Sequence, residues 1–160
     1  MDEVPTLEGR AVVFCCAACN APLTKPLVEA PLNMDAKAPY ESENRDWEAR
    51  QPLGTYAIDP EPFGPPYVPV PGRIGYRNVH VPGGPRGTFV IAPSDALPMD
   101  PVPDPSRRSG CCGPSGSDGL NLACASCGAE VATECADCWT YQEIVLDPGA
   151  VVLVGDGQAR

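Results

Sequence analysis

Hydrophobic residues in this chain occur in short runs rich in β-branched side chains, and proline or glycine bounds most of these runs. Because β-branched and aromatic residues favour strands, the pattern predicts strands over residues 10–16 (RAVVFCC), 87–92 (GTFVIA), 139–146 and 151–154. Residues 73–81 (RIGYRNVHV) predict a further strand, which the PGGPRG turn would join to 87–92 as a hairpin. The pattern as a whole predicts a mainly β fold.

Polar and proline-rich segments separate these strands. Residues 21–28 (APLTKPLV) contain prolines that limit them to an edge or irregular strand. Residues 29–54 have few apolar anchors, and the region 29–72 is predicted to be a loop-rich insert, with one helical turn capped by Ser42 and a polyproline-like stretch over 59–72. The sequence PSDAL predicts a second helical turn, capped by Ser94.

Composition supports this pattern. The 160 residues include 21 prolines and 16 glycines, which disfavour long helices because proline lacks an amide donor and glycine loses backbone entropy. With 43% hydrophobic residues, a chain of this length can form one core. We therefore predict a single domain over residues 1–160, with small antiparallel sheets joined by long Pro/Gly-rich loops and held together by a zinc site.

The charge balance excludes some partners. The net charge is −10, and the only basic cluster is Arg107 with Arg108, so we expect no nucleic-acid partner. The acidic first ten residues lack a signal-peptide core, and no apolar run approaches the length of about 18 residues that spans a bilayer. We predict a cytoplasmic protein with no membrane association. In that reducing compartment, nine cysteines indicate metal or thiol chemistry more than disulfides.

The cysteines include three C-x-x-C pairs: Cys16 with Cys19, Cys124 with Cys127, and Cys135 with Cys138. This spacing suits a metal because the two-residue turn points both sulfur atoms the same way and its amides can donate to them.

The first two pairs are predicted to share one metal ion. Asn20 and Gly128 follow them, and both residue types tolerate the left-handed backbone that reverses the chain there. An extended segment between the second and third pairs would span roughly 25 Å, too far for a shared ion. The sequence therefore predicts that Zn²⁺ is bound by four residues: Cys16, Cys19, Cys124 and Cys127.

The sequence leaves the roles of the other cysteines open. Cys15 should point away from the sulfur of Cys16, because neighbouring side chains on a strand face opposite sides, and we interpret it as a core or surface thiol. Three roles stay open for the remaining cysteines, namely a second metal site, a redox pair or core thiols: Cys111, Cys112, Cys135 and Cys138.

Little in the sequence indicates a catalytic site of another kind. The single histidine, His80, is interpreted as a structural residue. A Ser/His/Asp hydrolase site requires a catalytic histidine, so we do not expect one in this chain. Trp139 and Tyr141 are predicted to pack in the core.

Two functional hypotheses follow from these residues. The first is a structural Zn(Cys)4 module that binds a protein or small-molecule partner of unknown identity through its proline-rich loops. The alternative is a thiol-dependent oxidoreductase with a structural zinc, in which Cys111, Cys112 or Cys138 reacts.

The order of strand, C-x-x-C, long β-rich insert and second C-x-x-C resembles the β-tent group, which includes Yippee-like proteins, methionine sulfoxide reductase B and the thalidomide-binding domain of cereblon. That resemblance implies one zinc pinning two antiparallel sheets through the four cysteines predicted above. After the second pair the chain reads GAEVATECADCW, without the aromatic cage or the reductase histidines, so the activities of those proteins are not implied. The segments GCCGPSGSDGLNLACASCGAEVATECADCW and DPEPFGPPYVPVPG also resemble segments of a cysteine-rich bacterial zinc-binding family of unassigned activity.

Overall fold

Strands and loops make up almost all of the structure, a computed structural model that describes residues 9–70 and 79–155. Within these residues no α-helix forms, as the proline and glycine content predicts, and the mainly β prediction is confirmed. In chain order the strands are β1 (Val12–Cys16), β2 (Val28–Glu29), β3 (Thr55–Asp59), β4 (Tyr67–Pro69), β5 (His80–Pro82), β6 (Thr88–Ile91), β7 (Met99–Pro101), β8 (Leu122–Cys124), β9 (Glu130–Cys135), β10 (Glu143–Leu146) and β11 (Val151–Gly155). Short 3-10 turns occupy Pro39–Glu41, Pro93–Asp95 and Pro105–Arg108.

Seven of the strands form one sheet in the order β2-β3-β6-β10-β9-β8-β7. All its neighbours are antiparallel except β2 and β3, which run parallel. Two ribbons complete the described fold. In one, β1 pairs with β11 in a register that runs from Val12 opposite Gly155 to Cys16 opposite Val151. In the other, β4 pairs with β5.

Strand β1 is the link between its ribbon and the core. All five of its residues are buried, which explains the uninterrupted apolar sequence VVFCC. The ring of Phe14 lies 5.0 Å from the ring of Tyr56, edge to face, and 4.8 Å from that of Phe89. Aromatic pairs of this geometry contribute about 0.5–1.5 kcal/mol each beyond the area they bury. The ribbon that ends at Cys16 is therefore firmly packed on the sheet.

The predicted hairpin between residues 73–81 and 87–92 is wrong in its pairing. Strand β5 pairs with β4, whereas β6 lies in the centre of the main sheet between β3 and β10. The physical reason is burial, because Thr88, Val90 and Ile91 of β6 are buried while every residue of β5 is exposed. Residues 73–78 of the predicted strand lie outside the described residues.

The predicted cap at Ser94 is wrong, because Ser94 lies inside the turn at Pro93–Asp95. Ser42 ends the turn at Pro39–Glu41, and a hydrogen-bonded turn, not a helical element, follows it: the amide of Arg45 donates to the carbonyl of Ser42 at 3.2 Å, and the amide of Asp46 donates to its Oγ at 3.4 Å. In each case a proline begins the turn, because its fixed φ angle suits the first helical position.

The polyproline-like segment 59–72 contains strand β4, a difference from the predicted conformation, and its last two residues lie outside the described part. Residues 21–28 form isolated bridges at Pro22, Thr24 and Leu27, as an irregular strand was predicted to do. None of the described helical segments is long and apolar enough to cross a bilayer.

The prediction for the strand that precedes the last turn is partly wrong. The strand begins at Glu143 and not at Trp139, which lies in a turn and is 60% exposed. Trp139 stacks on Tyr40 with ring centroids 3.8 Å apart, and Tyr141 lies under the guanidinium group of Arg50. Neither aromatic residue belongs to the hydrophobic core cluster, because Trp139 lies against the exposed ring of Tyr40 and Tyr141 lies against the buried guanidinium group of Arg50.

Candidate metal centre

The first C-x-x-C loop begins where β1 ends. The amide of Cys16 donates to the carbonyl of Ala21, and the amide of Asn20 donates back to the carbonyl of Cys16, each at 2.8 Å. Asn20 has a φ of 66°, in the left-handed region that asparagine tolerates. These bonds close a tight loop that carries Cys19 back toward Cys16.

The second C-x-x-C loop begins where β8 ends and repeats the first in detail. The amide of Cys124 donates to the carbonyl of Ala129, and the amide of Gly128 donates to the carbonyl of Cys124, again at 2.8 Å. Gly128 has a φ of 78° at the position that corresponds to Asn20. Two segments far apart in sequence therefore form the same thiol-bearing loop.

The two loops face each other and bring four sulfur atoms together, which we call the first cluster: Cys16, Cys19, Cys124 and Cys127. All four Sγ atoms lie within 4.8 Å of one another. The Cys16–Cys127 pair is 3.7 Å apart and the Cys19–Cys124 pair 3.6 Å apart. A tetrahedral zinc with Zn–S bonds of about 2.3 Å requires sulfur atoms about 3.8 Å apart. The first cluster could hold a metal ion with little movement of the sulfurs.

Hydrogen bonds shift the pKa values of two thiols of the first cluster in opposite directions. Burial opposes ionisation of Cys124, but the amides of Cys127 and Ser126 donate to its sulfur and lower its pKa to about 7. At Cys19 the amide of Ala21 favours the thiolate, yet desolvation and hydrogen bonds with neighbouring thiols outweigh it and raise the pKa to about 12. The thiols thus share protons at close range, which a divalent cation would displace on binding.

Cys15 lies outside the first cluster. Its side chain is 1% exposed, and burial raises the pKa of its thiol. Facing away from Cys16 on β1, it is a core thiol, one of the two roles that the sequence left open.

A second group of chemical donors lies in the loop after β7 and the turn after β9. We call it the second cluster: Cys111, Cys112, Asp137 and Cys138. The sulfur of Cys111 lies 3.2 Å from that of Cys138 and 3.6 Å from that of Cys112. The Cys111 thiol donates to Oδ1 of Asp137 at 3.4 Å. These four donor atoms also lie within 4.8 Å of one another and could hold a metal ion.

Neighbouring groups in the second cluster shift one another's pKa values. Hydrogen bonds with Cys138 and Cys112 raise the pKa of Cys111 to about 12, and the proximity of Asp137 adds to this effect. The amide of Cys112 donates to Asp137 at 2.9 Å and keeps the pKa of that carboxyl low. Asp137 is therefore an anion beside three sulfurs.

Cys135 does not belong to the second cluster although it shares a C-x-x-C spacing with Cys138. It ends β9 with its side chain 4% exposed, and burial raises its pKa. The sequence did not lead us to predict Asp137 as a donor, although it directly precedes Cys138 in the segment CADC. A carboxylate inside a cysteine pair was the available signal.

No protein-family model, curated protein or solved structure matches this chain. Its function must be argued from the two clusters and their surroundings.

Proposed function

We propose that this protein is a zinc-binding module in which the first cluster holds a structural Zn²⁺ ion. The observation that carries the proposal is the pair of sulfur–sulfur distances, 3.6 and 3.7 Å, which match the edges of a thiolate tetrahedron around zinc. Zinc is the cation of choice because soft thiolate ligands in a tetrahedral set select it over harder ions such as magnesium.

A cation with four thiolate ligands has no open coordination position, so the role of this zinc would be structural and not catalytic. The sulfur pairs join residues 105 and 111 positions apart in sequence. Zinc would therefore tie β1, with its partner β11, to β8 of the main sheet. This arrangement supports the proposal of a β-tent-like architecture, in which one zinc pins two sheets together.

The proposed biological role is interaction through the proline-rich loops. Phe63, Pro65 and Pro85 from these loops line a cavity of about 230 Å³ that reaches Val145 on the main sheet. Beside it, the β4–β5 ribbon exposes apolar side chains, including Tyr67 and Val81, each 40% exposed. A cavity and an apolar ribbon offer surfaces for a small molecule or a protein. A cytoplasmic location completes the proposal, because reduced thiols suit that compartment.

Metal content of the purified chain tests the role of the first cluster. We expect Cys16→Ser and Cys127→Ser to lose one metal equivalent relative to the unmodified chain, measured by elemental analysis at equal protein concentration. Cys15→Ala is the matched control, because it changes the neighbouring thiol on the same strand and should retain the metal. Full metal retention in both serine variants would contradict the proposal.

One observation favours a second candidate function, a thiol-dependent oxidoreductase. The sulfurs of Cys111 and Cys138 are 3.2 Å apart and accessible enough to exchange with a substrate disulfide. In such an exchange one thiolate attacks the substrate, the second resolves the mixed disulfide, and the substrate leaves as two thiols. The raised pKa of Cys111 argues against a ready nucleophile. Alkylation kinetics separates the candidates, since the oxidoreductase requires one fast-reacting thiol and the structural module requires none.

A further inference from the structure

We propose that the second cluster is a second metal site, in which the thiolates of Cys111, Cys112 and Cys138 and the carboxylate of Asp137 bind a thiophilic divalent cation, zinc by preference. This inference does not depend on metal binding by the first cluster, because the two clusters share no residue.

The distances fit a tetrahedral site with three sulfur ligands and one oxygen ligand. For Zn–S bonds of about 2.3 Å and a Zn–O bond of about 2.0 Å, the expected sulfur–oxygen edge is about 3.5 Å. The Cys111 sulfur lies 3.4 Å from Oδ1 of Asp137. Its distances to the other two sulfurs, 3.2 and 3.6 Å, are slightly below the sulfur–sulfur edge of about 3.8 Å. Binding a cation would therefore require the Cys111 sulfur to move away from the other two sulfurs by about 0.2–0.6 Å.

The backbone around the cluster is shaped to bring these donors together. The amide of Ala136 donates to the carbonyl of Pro114 at 2.9 Å, which holds the loop against the turn after β9. At Gly113 an added Cβ would lie 2.5 Å from the carbonyl oxygen of Ala136, so the two segments approach this closely only because residue 113 is glycine. Asp137, only 4% exposed, anchors the contact by accepting from the amide of Cys112.

Hydrophobic burial does not explain why these thiols converge. Cys15 and Cys135 are buried in the core and behave as small apolar side chains. In contrast, Cys111 and Cys112 are exposed and Cys138 is only partly buried. Three thiols and one carboxylate therefore gather near the surface with their donor atoms within 4.8 Å of one another, an arrangement that a bound divalent cation would hold together. Metal binding gives this arrangement a physical cause.

The two sites should differ in how readily they exchange metal. The first cluster has four sulfur ligands, two of them buried, whereas the second has one oxygen ligand and two exposed sulfurs. Carboxylate is a harder ligand than thiolate and binds a thiophilic ion less strongly. We therefore expect a chelator to remove the metal of the second cluster first.

Elemental analysis of the full chain, purified with reductant and zinc and then desalted, tests the proposal. We expect two zinc ions per unmodified chain and one per chain in Cys111→Ser and in Cys138→Ser. Cys135→Ala is the matched control, since it removes the other thiol of the same C-x-x-C pair and should retain two. Cys16→Ser reports on the first cluster separately, so failure at one site is distinguishable from failure at the other.

Differential alkylation of the unmodified chain provides the same test without any substitution. Peptide mass spectrometry should show Cys111, Cys112 and Cys138 protected in the zinc-loaded protein and labelled after brief chelation, while Cys19 is labelled later. A chain with one zinc, lost in Cys16→Ser and kept in Cys138→Ser, would overturn the proposal. So would rapid labelling of these three cysteines in the zinc-loaded chain, or a Cys111–Cys138 disulfide as the stable form under reductant.

Discussion

Removal of zinc should lower the thermal stability of this protein through the first cluster. The perturbation is a change in free zinc concentration, from saturating to strongly chelated, with the covalent chain unchanged. The metal would join two preformed loops that lie 105 residues apart in sequence and hold them in their native arrangement. In the unfolded chain these loops separate, so binding favours the native state.

The size of the effect follows from two independent estimates. A ligand that binds only the native state at about 1,000 times its dissociation constant stabilises it by about 4.1 kcal/mol. A permanent cross-link across a loop of about 100 residues would contribute about 4.7 kcal/mol through chain entropy. For a chain of this length, 1 kcal/mol corresponds to about 2–4 °C in Tm, so we expect a decrease of about 8–19 °C.

Circular dichroism during heating in zinc-buffered and chelator-containing solutions measures this shift. Cys15→Ala should lower Tm in both solutions but keep the zinc-dependent difference, because its thiol lies outside the cluster. Cys16→Ser and Cys127→Ser should lose the difference, whereas Cys138→Ser should keep most of it. A Tm that does not change with free zinc would refute the reasoning, as would an unchanged zinc-dependent shift in Cys16→Ser.

Two further predictions test the loop and the core. With saturating zinc, Asn20→Val should lower the free energy of unfolding in urea by about 1–2 kcal/mol, because a β-branched side chain is strained at positive φ. The control variant Asn20→Gly should lower it only slightly, and equal losses in the two variants would contradict this account. Burial raises the pKa of the Glu143 carboxyl, although Arg50 forms an ion pair with it at 3.3 Å. The stabilisation by the protonated carboxyl is therefore complete below about pH 4.3 and is lost as the pH rises through the raised pKa. The difference in unfolding free energy between the unmodified chain and Glu143→Gln, measured from pH 4 to 8, should therefore change in favour of the variant as pH rises, and a constant difference would show that Glu143 does not titrate in this range.

Local apolar runs predicted strand β1, which is fully buried, and most of β11, which is largely exposed, but they did not predict the partner of the exposed strand β5. The apolar sequence VVFCC identified β1, and VVLV identified most of β11. Strand β5 could not be paired correctly, because its exposed residues carry no burial pattern and the turn sequence alone favoured a hairpin with β6. Pairing over a long sequence separation depends on tertiary packing, which a window of a few residues does not contain.

The two clusters differ in what the sequence could show. For the first cluster, the spacing and the residues Asn20 and Gly128 described both loops, and the structure shows those loops facing each other. The second cluster combines adjacent cysteines with one cysteine and one carboxylate from a distant turn. The C-x-x-C spacing suggested Cys135 as the partner of Cys138. However, Cys135 is the last residue of β9, and packing of the sheet buries its side chain in the core.

Each loop of the first cluster contributes one sheltered sulfur, from Cys16 or Cys124, and one that faces water, from Cys19 or Cys127. A peroxide molecule that arrives from solution therefore meets the outward pair first, and chemical damage begins on one side of the site. Loss of either outward thiolate would leave the two sheltered ones in place at the strand ends. In the proposed zinc site, oxidation would therefore begin at the outer pair, and reduction of a single oxidised sulfur would restore the four ligands.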